Sequence, residues 1–195
     1  MVPMNKTQLI KLISMKYNEH PLIFTTGYAS RIAFSLYPEA KNHFYMVGSM
    51  GMAAAIGRGV ASGYKTTKFP VVVDGDGAML MGLHSLLLEL EAGDQILHII
   101  ANDCSYTSTG GQMVPESVQS LSAFARAAGY GFVRDMKADE VILRSTFDEA
   151  SAAVLEGGSA FLNVYVEAGP QPEERISLTL PEVAKRFTDF LQNRM

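Results

Sequence analysis

Two carboxylates, Asp74 and Asp76, close an apolar run in VVVDGDGAML (71–80), and glycines flank Asp76 on both sides. Glycine permits tight turns and close approach of backbone to a ligand. The segment that follows, AMLMGLHSLLLELE, has a helical pattern, and a helix N-terminus attracts anions. A carboxylate facing an anion there would be repelled unless a hard cation lay between them. Magnesium takes oxygen ligands and commonly links one or two carboxylates to phosphates. A strand, a carboxylate and a helix start in this order point to metal plus phosphate at Asp76. The tripeptide alone fits a plain capped turn equally well. Asp74 reads as a strand-end residue that caps the turn.

A second oxygen-rich cluster, ANDCSYTSTGGQ (101–112), stands at the end of the next apolar run, with Asn102 26 residues after Asp76. If the two runs are neighbouring parallel strands, Asn102 or Asp103 comes near Asp76. A carboxylate there would be a second metal ligand and a loop carbonyl a third. The remaining hydroxyls and glycines suit phosphate oxygens.

The elements that must position these clusters follow from the apolar pattern. Strand-like runs lie at 22–24, 44–47, 70–74, 96–102, 131–136 and 160–168, with helical patterns at roughly 28–37, 50–64, 78–92, 118–128 and 138–156. A helix near Lys6 starts the chain and another, opened by Pro181, ends it. Apolar strands separated by helices predict an α/β fold: a doubly wound, mainly parallel six-stranded sheet with helices on both faces, in one domain spanning 1–195. Ligands of such folds sit at the carboxyl ends of strands. TTG (25–27), GDG (75–77) and the irregular insertion 103–117 all fall there.

Composition narrows the classes. The 195 residues carry a net charge of −4 without a basic block, which argues against nucleic acid. The single cysteine, Cys104, excludes an internal disulfide or an all-cysteine cluster. No apolar run approaches the ~18 residues of a membrane span, and no signal peptide is apparent. The expectation is a soluble cytoplasmic protein.

With these residues in hand, the chain resembles the thiamine-diphosphate enzymes, in their pyrophosphate-binding domain. Asp76 in GDG, followed at this spacing by Asn102–Asp103, is similar to the two-part signature of that family. VGSMGMAAAIGRG (47–59) resembles the segment that meets the aminopyrimidine ring, and TTGYASR (25–31) the first phosphate-side loop. Together with STGGQ (108–112), these look most like sulfopyruvate and phosphonopyruvate decarboxylases.

The resemblance implies thiamine diphosphate and Mg²⁺ as cofactors. Asp76 and Asp103 would ligate the metal by side chain, and Ser105 by its carbonyl. Gly27, Tyr28, Gly77, Ala78 and Ser108 would surround the diphosphate, and Thr26, Gly75, Tyr106 and Thr107 would also bind the cofactor. Gly48, Ser49 and Met50 would meet the pyrimidine, with Met50 supporting the bend of the cofactor. No catalytic residue is assigned with certainty; Thr107, Thr109 and Gln112 are candidates for the substrate side. The family's N1′ glutamate lies in a second, pyrimidine-binding domain, for which this sequence has no second α/β unit. The resemblance therefore implies a separate alpha subunit as partner in a hetero-oligomer. The implied reaction is decarboxylation of sulfopyruvate or a similar small anionic 2-oxo acid. Alternatives are a carboligase, acyl-transfer or 2-oxo acid oxidoreductase subunit, or a non-catalytic cofactor-binding subunit.

Several positions depart from the family pattern. Asp103 stands where asparagine is usual, and Asn102 would serve if the register moved by one residue. Cys104 and Ser105 replace a small, glycine-rich pair, and Cys104 reads as a packed small residue. His98 reads as a core residue, His84 as structural, and His20 and His43 as surface residues. Arg31 is a candidate partner for an anionic substrate or for another subunit. The small-residue stretch GMAAAIGRGVASG (51–63) suits either a subunit interface or helix–sheet packing.

Overall fold

The computed structural model describes residues 4–63, 68–87, 95–115, 120–170 and 174–193. Eight strands follow in chain order: β1 (Leu22–Phe24), β2 (His43–Tyr45), β3 (Val71–Gly75), β4 (Leu97–Asn102), β5 (Ser105–Tyr106), β6 (Gln112–Met113), β7 (Phe132–Lys137) and β8 (Ala160–Tyr165). The helices are α1 (Lys6–Lys16), α2 (Tyr28–Leu36), α3 (Ala53–Gly63), α4 (Asp76–Met81), α5 (Leu121–Ala127), α6 (Glu140–Leu155) and α7 (Leu180–Gln192). Six strands form one all-parallel sheet in the order β2-β1-β3-β4-β8-β7. This is the predicted doubly wound fold.

The alternation of side chains along each strand divides the core. Leu22, Phe24, Val71, Val73, Leu97, Ile99, Leu162 and Val164 pack against Leu9, Ile13, Ile32, Ala33, Phe147 and Val154 of α1, α2 and α6. On the other face, Ile23 and Val72 meet Ala53 and Val60 of α3 and Phe187 of α7, while Ile100 and Phe161 meet Met79, Leu121 and Ala125 of α4 and α5. Each fully buried side chain of this size contributes about 1.5–3 kcal/mol, so the sheet is a firm platform for the loops at its ends. The small-residue stretch serves helix–sheet packing at Gly57, where a Cβ would come within 2.4 Å of Val72 Cγ2.

β1 lies between β2 and β3, so successive connections leave β1 in opposite directions. α2 covers one face and α3 the other. That is a topological switch point, where doubly wound sheets open a crevice. The loops after β1 and β3 meet there.

Several expectations are corrected. The helix predicted over 78–92 ends at Met81, and a 3-10 turn (Leu83–Leu87) follows; the remainder lies outside the described residues. Gly82 stands at the break, and its backbone lies against that of Gly51. The irregular insertion contains a small antiparallel hairpin, β5–β6. His43 is buried, not on the surface: it sits among the rings of Phe24, Tyr37 and Tyr45. Burial, reinforced by the charge of Arg186, lowers its pKa to about 3 and keeps it neutral. His84 is exposed and His20 half-buried against Phe69, whereas His98 is in the core as expected. No described helix is long and apolar enough to cross a membrane.

Candidate functional site

The loops after β1, β2, β3 and β4 converge on one cleft at the carboxyl ends of the strands. Lys6, Thr25, Thr26, Tyr28, Met50, Asp74, Asp76, Gly77, Ala78 and Ser105 through Ser108 are among its lining residues.

The first loop is held from below. The Ser30 hydroxyl donates to the carbonyls of Phe24 and Thr25 at 2.9 and 2.8 Å, and the Thr25 N–H donates to Val73 at 2.9 Å. Gly27 has φ +91° and lies so near Ser108 that a Cβ would be 3.1 Å from it. The loops after β1 and β4 therefore touch. The Thr26 hydroxyl accepts from the Gly48 N–H at 3.0 Å and ties in the loop after β2. There Gly48, Ser49 and Gly51 all have positive φ, and Met50 between them reaches the cleft.

β3 delivers the carboxylates. Asp74 caps the turn as expected, accepting from the Gly75 N–H at 3.0 Å, and its other oxygen faces His98 Nε2 at 3.6 Å. Asp76 is the first residue of α4 and is 2 % exposed. Its Oδ2 is buried with no hydrogen-bond partner among the described residues. Burial and the charge of Asp103 push its pKa up to about 6, against the opposing effects of Lys6 and local backbone N–H groups. A buried carboxylate oxygen without a donor is costly. Its environment is that of a cation ligand.

β4 aims Asp103. The Asn102 amide is held in the sheet: its nitrogen donates to Asn163 Oδ1 at 2.9 Å, and its oxygen accepts from the Cys104 N–H at 2.9 Å. Asn163 in turn donates to Asp135 at 2.8 Å. Both ends of Asn102 are thus engaged within the sheet and the turn, whereas Asp103 is bonded to the cleft-lining Lys6 and Thr107. Its Oδ2 accepts from Lys6 Nζ at 2.9 Å and from the Thr107 hydroxyl at 2.8 Å, while among the described residues Oδ1 has only the Ser105 hydroxyl at 3.4 Å. Thr107, a candidate for the substrate side, thus directs its hydroxyl to Asp103. Thr109 and Gln112 are exposed on the loop and hairpin and do not line the cleft. Arg31 donates from Nε to the Glu174 carbonyl and lies over the Tyr28 ring.

Cys104 has φ +57°, the left-handed conformation in which glycine is at ease. The half-buried thiol is kept protonated, mainly by desolvation and then by Asp76 and Asp103. Cys104→Gly should raise stability by about 1 kcal/mol, read as a higher urea midpoint with an unchanged slope. A lower midpoint would contradict a strained Cys104.

Residues 25–164 match the thiamine pyrophosphate enzyme C-terminal TPP binding domain. The chain belongs to this family. It is 34% identical over 191 residues to a phosphonopyruvate decarboxylase of Streptomyces viridochromogenes, covering 97% of this chain and 46% of that protein. It is 32% identical over 186 residues to sulfopyruvate decarboxylase subunit beta of Methanothermobacter thermautotrophicus, covering 94% of each. The chain thus spans less than half the length of the phosphonopyruvate decarboxylase. The benzoylformate decarboxylase of Polynucleobacter necessarius shares its fold at TM-score 0.70 and 13% identity, over 88% of this chain and 35% of that one.

The residues fit the family's cofactor. The orphaned Asp76 Oδ2, the lightly engaged Asp103 Oδ1 and the Ser105 segment form a hard-oxygen donor set suited to magnesium. Among the described residues no three His, Cys, Asp or Glu gather into a metal centre. Two carboxylates that leave further positions to backbone, phosphate and water are consistent with that. Lys6, Thr25 and Ala29 also line the cleft and were missed in the sequence. A signal for Lys6 existed: it occupies the first turn of α1, where the helix dipole disfavours a cation.

Proposed function

We propose that this chain is the pyrophosphate-domain (beta) subunit of a two-subunit, thiamine-diphosphate- and Mg²⁺-dependent decarboxylase. Its substrate would be sulfopyruvate or a similar anionic 3-substituted 2-oxo acid, released as an aldehyde and CO₂. The observation that carries this reading is the orphaned Asp76 carboxylate in the cleft at the switch point, with Asp103 beside it and bonded to the cleft-lining Lys6 and Thr107. The match over 94% of a sulfopyruvate decarboxylase beta subunit favours the divided form.

In this reading Asp76, Asp103 and the Ser105 carbonyl hold magnesium. The backbone of Gly27, Gly77 and Ser108 surrounds the diphosphate, and Met50 backs the pyrimidine. Bound thiamine diphosphate supplies the electron sink for loss of CO₂. The chain's own residues orient it and exclude water. A separate alpha subunit supplies the glutamate at the pyrimidine. The exposed apolar side chains Val47 and Met81, on the segments that form the cleft, suit a surface covered by that subunit.

The test is co-purification with a pyrimidine-domain subunit, followed by assay of CO₂ and aldehyde from a panel of 2-oxo acids with both cofactors. Turnover of an anionic 3-substituted pyruvate by the pair, and not by this chain alone, is expected. Absence of turnover for every acid would overturn the decarboxylase reading, and full activity of the single chain the divided one.

A further inference from the structure

Lys6 reaches the cleft from a helix that precedes the region matched by the family, residues 25–164. Its placement is built rather than incidental. Met4 and Asn5 run beside the chain beyond β8: Asn5 bridges Glu167, and the Glu167 N–H donates to the Met4 carbonyl at 3.0 Å. Asn5 then caps α1 in a reciprocal box with Gln8. Lys6 follows at once, and its ammonium meets Asp103 Oδ2 at 2.9 Å. Both side chains are nearly enclosed, 11% and 5% exposed.

A buried lysine on the first turn of a helix is opposed by desolvation and by the helix dipole. It persists here because Asp103 balances it. Asp103 has the reciprocal need, since Asp76 lies close enough for the two charges to repel. Lys6 and Thr107 both bind Oδ2, which leaves Oδ1 the less engaged oxygen. Asp103, Asp76 and Lys6 together carry the net charge of a single carboxylate. An Asp–Asn pair would carry the same.

We propose that Lys6 is a positioning residue of the magnesium–diphosphate site. By holding Asp103 Oδ2, it makes the Lys6–Asp103 pair behave as one neutral ligand that presents Oδ1 to the cation. The chain keeps a donor of amide-like charge where it has an aspartate, and the diphosphate faces no second uncompensated anion. This rests on the cofactor reading above.

The test is a double-mutant cycle on the complex isolated for the assay above, with thiamine diphosphate titrated calorimetrically at saturating Mg²⁺ and melting curves recorded for each variant. Lys6→Met should weaken thiamine diphosphate binding tenfold or more, and Lys6→Arg should restore it to within about threefold of wild type. In an Asp103→Asn background, Lys6→Met should change affinity by less than about threefold. Equal losses in both backgrounds would mean that Lys6 acts on the diphosphate directly or through the fold, and would overturn the proposal. No loss in the Asp103 background would overturn it as well. If the wild-type complex binds no thiamine diphosphate, the cofactor reading falls, and this proposal with it. Wild-type binding with an additive cycle removes this proposal alone.

Discussion

Asparagine at position 76 should make the free protein more stable while depriving it of magnesium and diphosphate. Asp76 is almost fully buried, its Oδ2 has no donor among the described residues, and Asp103 lies near it. Its pKa is raised from 3.8 to about 6, so the folded state favours the protonated form. The sign follows from linkage. The stability associated with this raised pKa is fully present below about pH 3.8 and is lost as pH rises through about 6. Near neutral pH the ionised group costs the metal-free protein at most about 3 kcal/mol, since one pKa unit corresponds to about 1.4 kcal/mol.

Asp76→Asn removes that penalty, so its urea midpoint at pH 7.5 should exceed that of wild type. The two should converge as the buffer approaches pH 4. Magnesium with thiamine diphosphate should then raise the melting temperature of wild type by preferential binding and leave Asp76→Asn unmoved. Loss of a direct ligand should cost more than the roughly 10–100-fold in metal affinity seen for outer partners. A variant less stable than wild type at pH 7.5 would mean that Asp76 is stabilised by contacts other than a cation. A variant that still responds to both cofactors would remove Asp76 from the metal site.

What could be read ahead of the structure depended on how local its cause was. β3 and β4 are mostly apolar and buried because both sheet faces are covered, so the polar clusters at their ends, Asp76 and Asn102–Asp103, stood out in the chain. Parallel pairing of those two strands then brings the clusters together. Lys6 was not legible in the same way. Its partner is 97 residues distant, and the bridge between Asn5 and Glu167, with the packing of α1 in the core, brings them into reach. His43 was misjudged for a related reason: three aromatic rings from separate segments enclose it. That the Asn102 side chain is held by the Asn102–Asn163–Asp135 chain across β4, β8 and β7 is something no spacing along the sequence reveals. The close approach of Gly82, just after α4, to a second glycine in another loop was likewise hidden.

Alanine at position 82 should cost both stability and cofactor affinity through that second glycine. Gly82 follows α4 with φ −105° and ψ 25°, a conformation open to any residue, so no backbone freedom is at stake. The constraint is space. A Cβ at Gly82 would lie 1.8 Å from the Gly51 carbonyl oxygen, and a Cβ at Gly51 would lie 2.5 Å from the Gly82 nitrogen. Both obstacles are backbone, so no side chain can rotate away. Overpacking of a core costs about 1–3 kcal/mol, and a backbone collision belongs at or above the upper end.

The movement has a direction, because Gly51 directly follows Met50, which lines the cleft. Gly82→Ala should therefore lower the urea midpoint and weaken thiamine diphosphate binding about tenfold or more. Gly59→Ala on α3 is the matched control: a Cβ there meets nothing within 4 Å, and alanine in a helix should stabilise by about 0.5–1 kcal/mol. If Gly82→Ala lost stability but kept full affinity, the strain would be absorbed on the α4 side and the Met50 loop would be independent of it. If it lost both, the seven residues from Asp76 to Gly82 act as one piece, with the proposed metal ligand at one end and the support of the Met50 loop at the other.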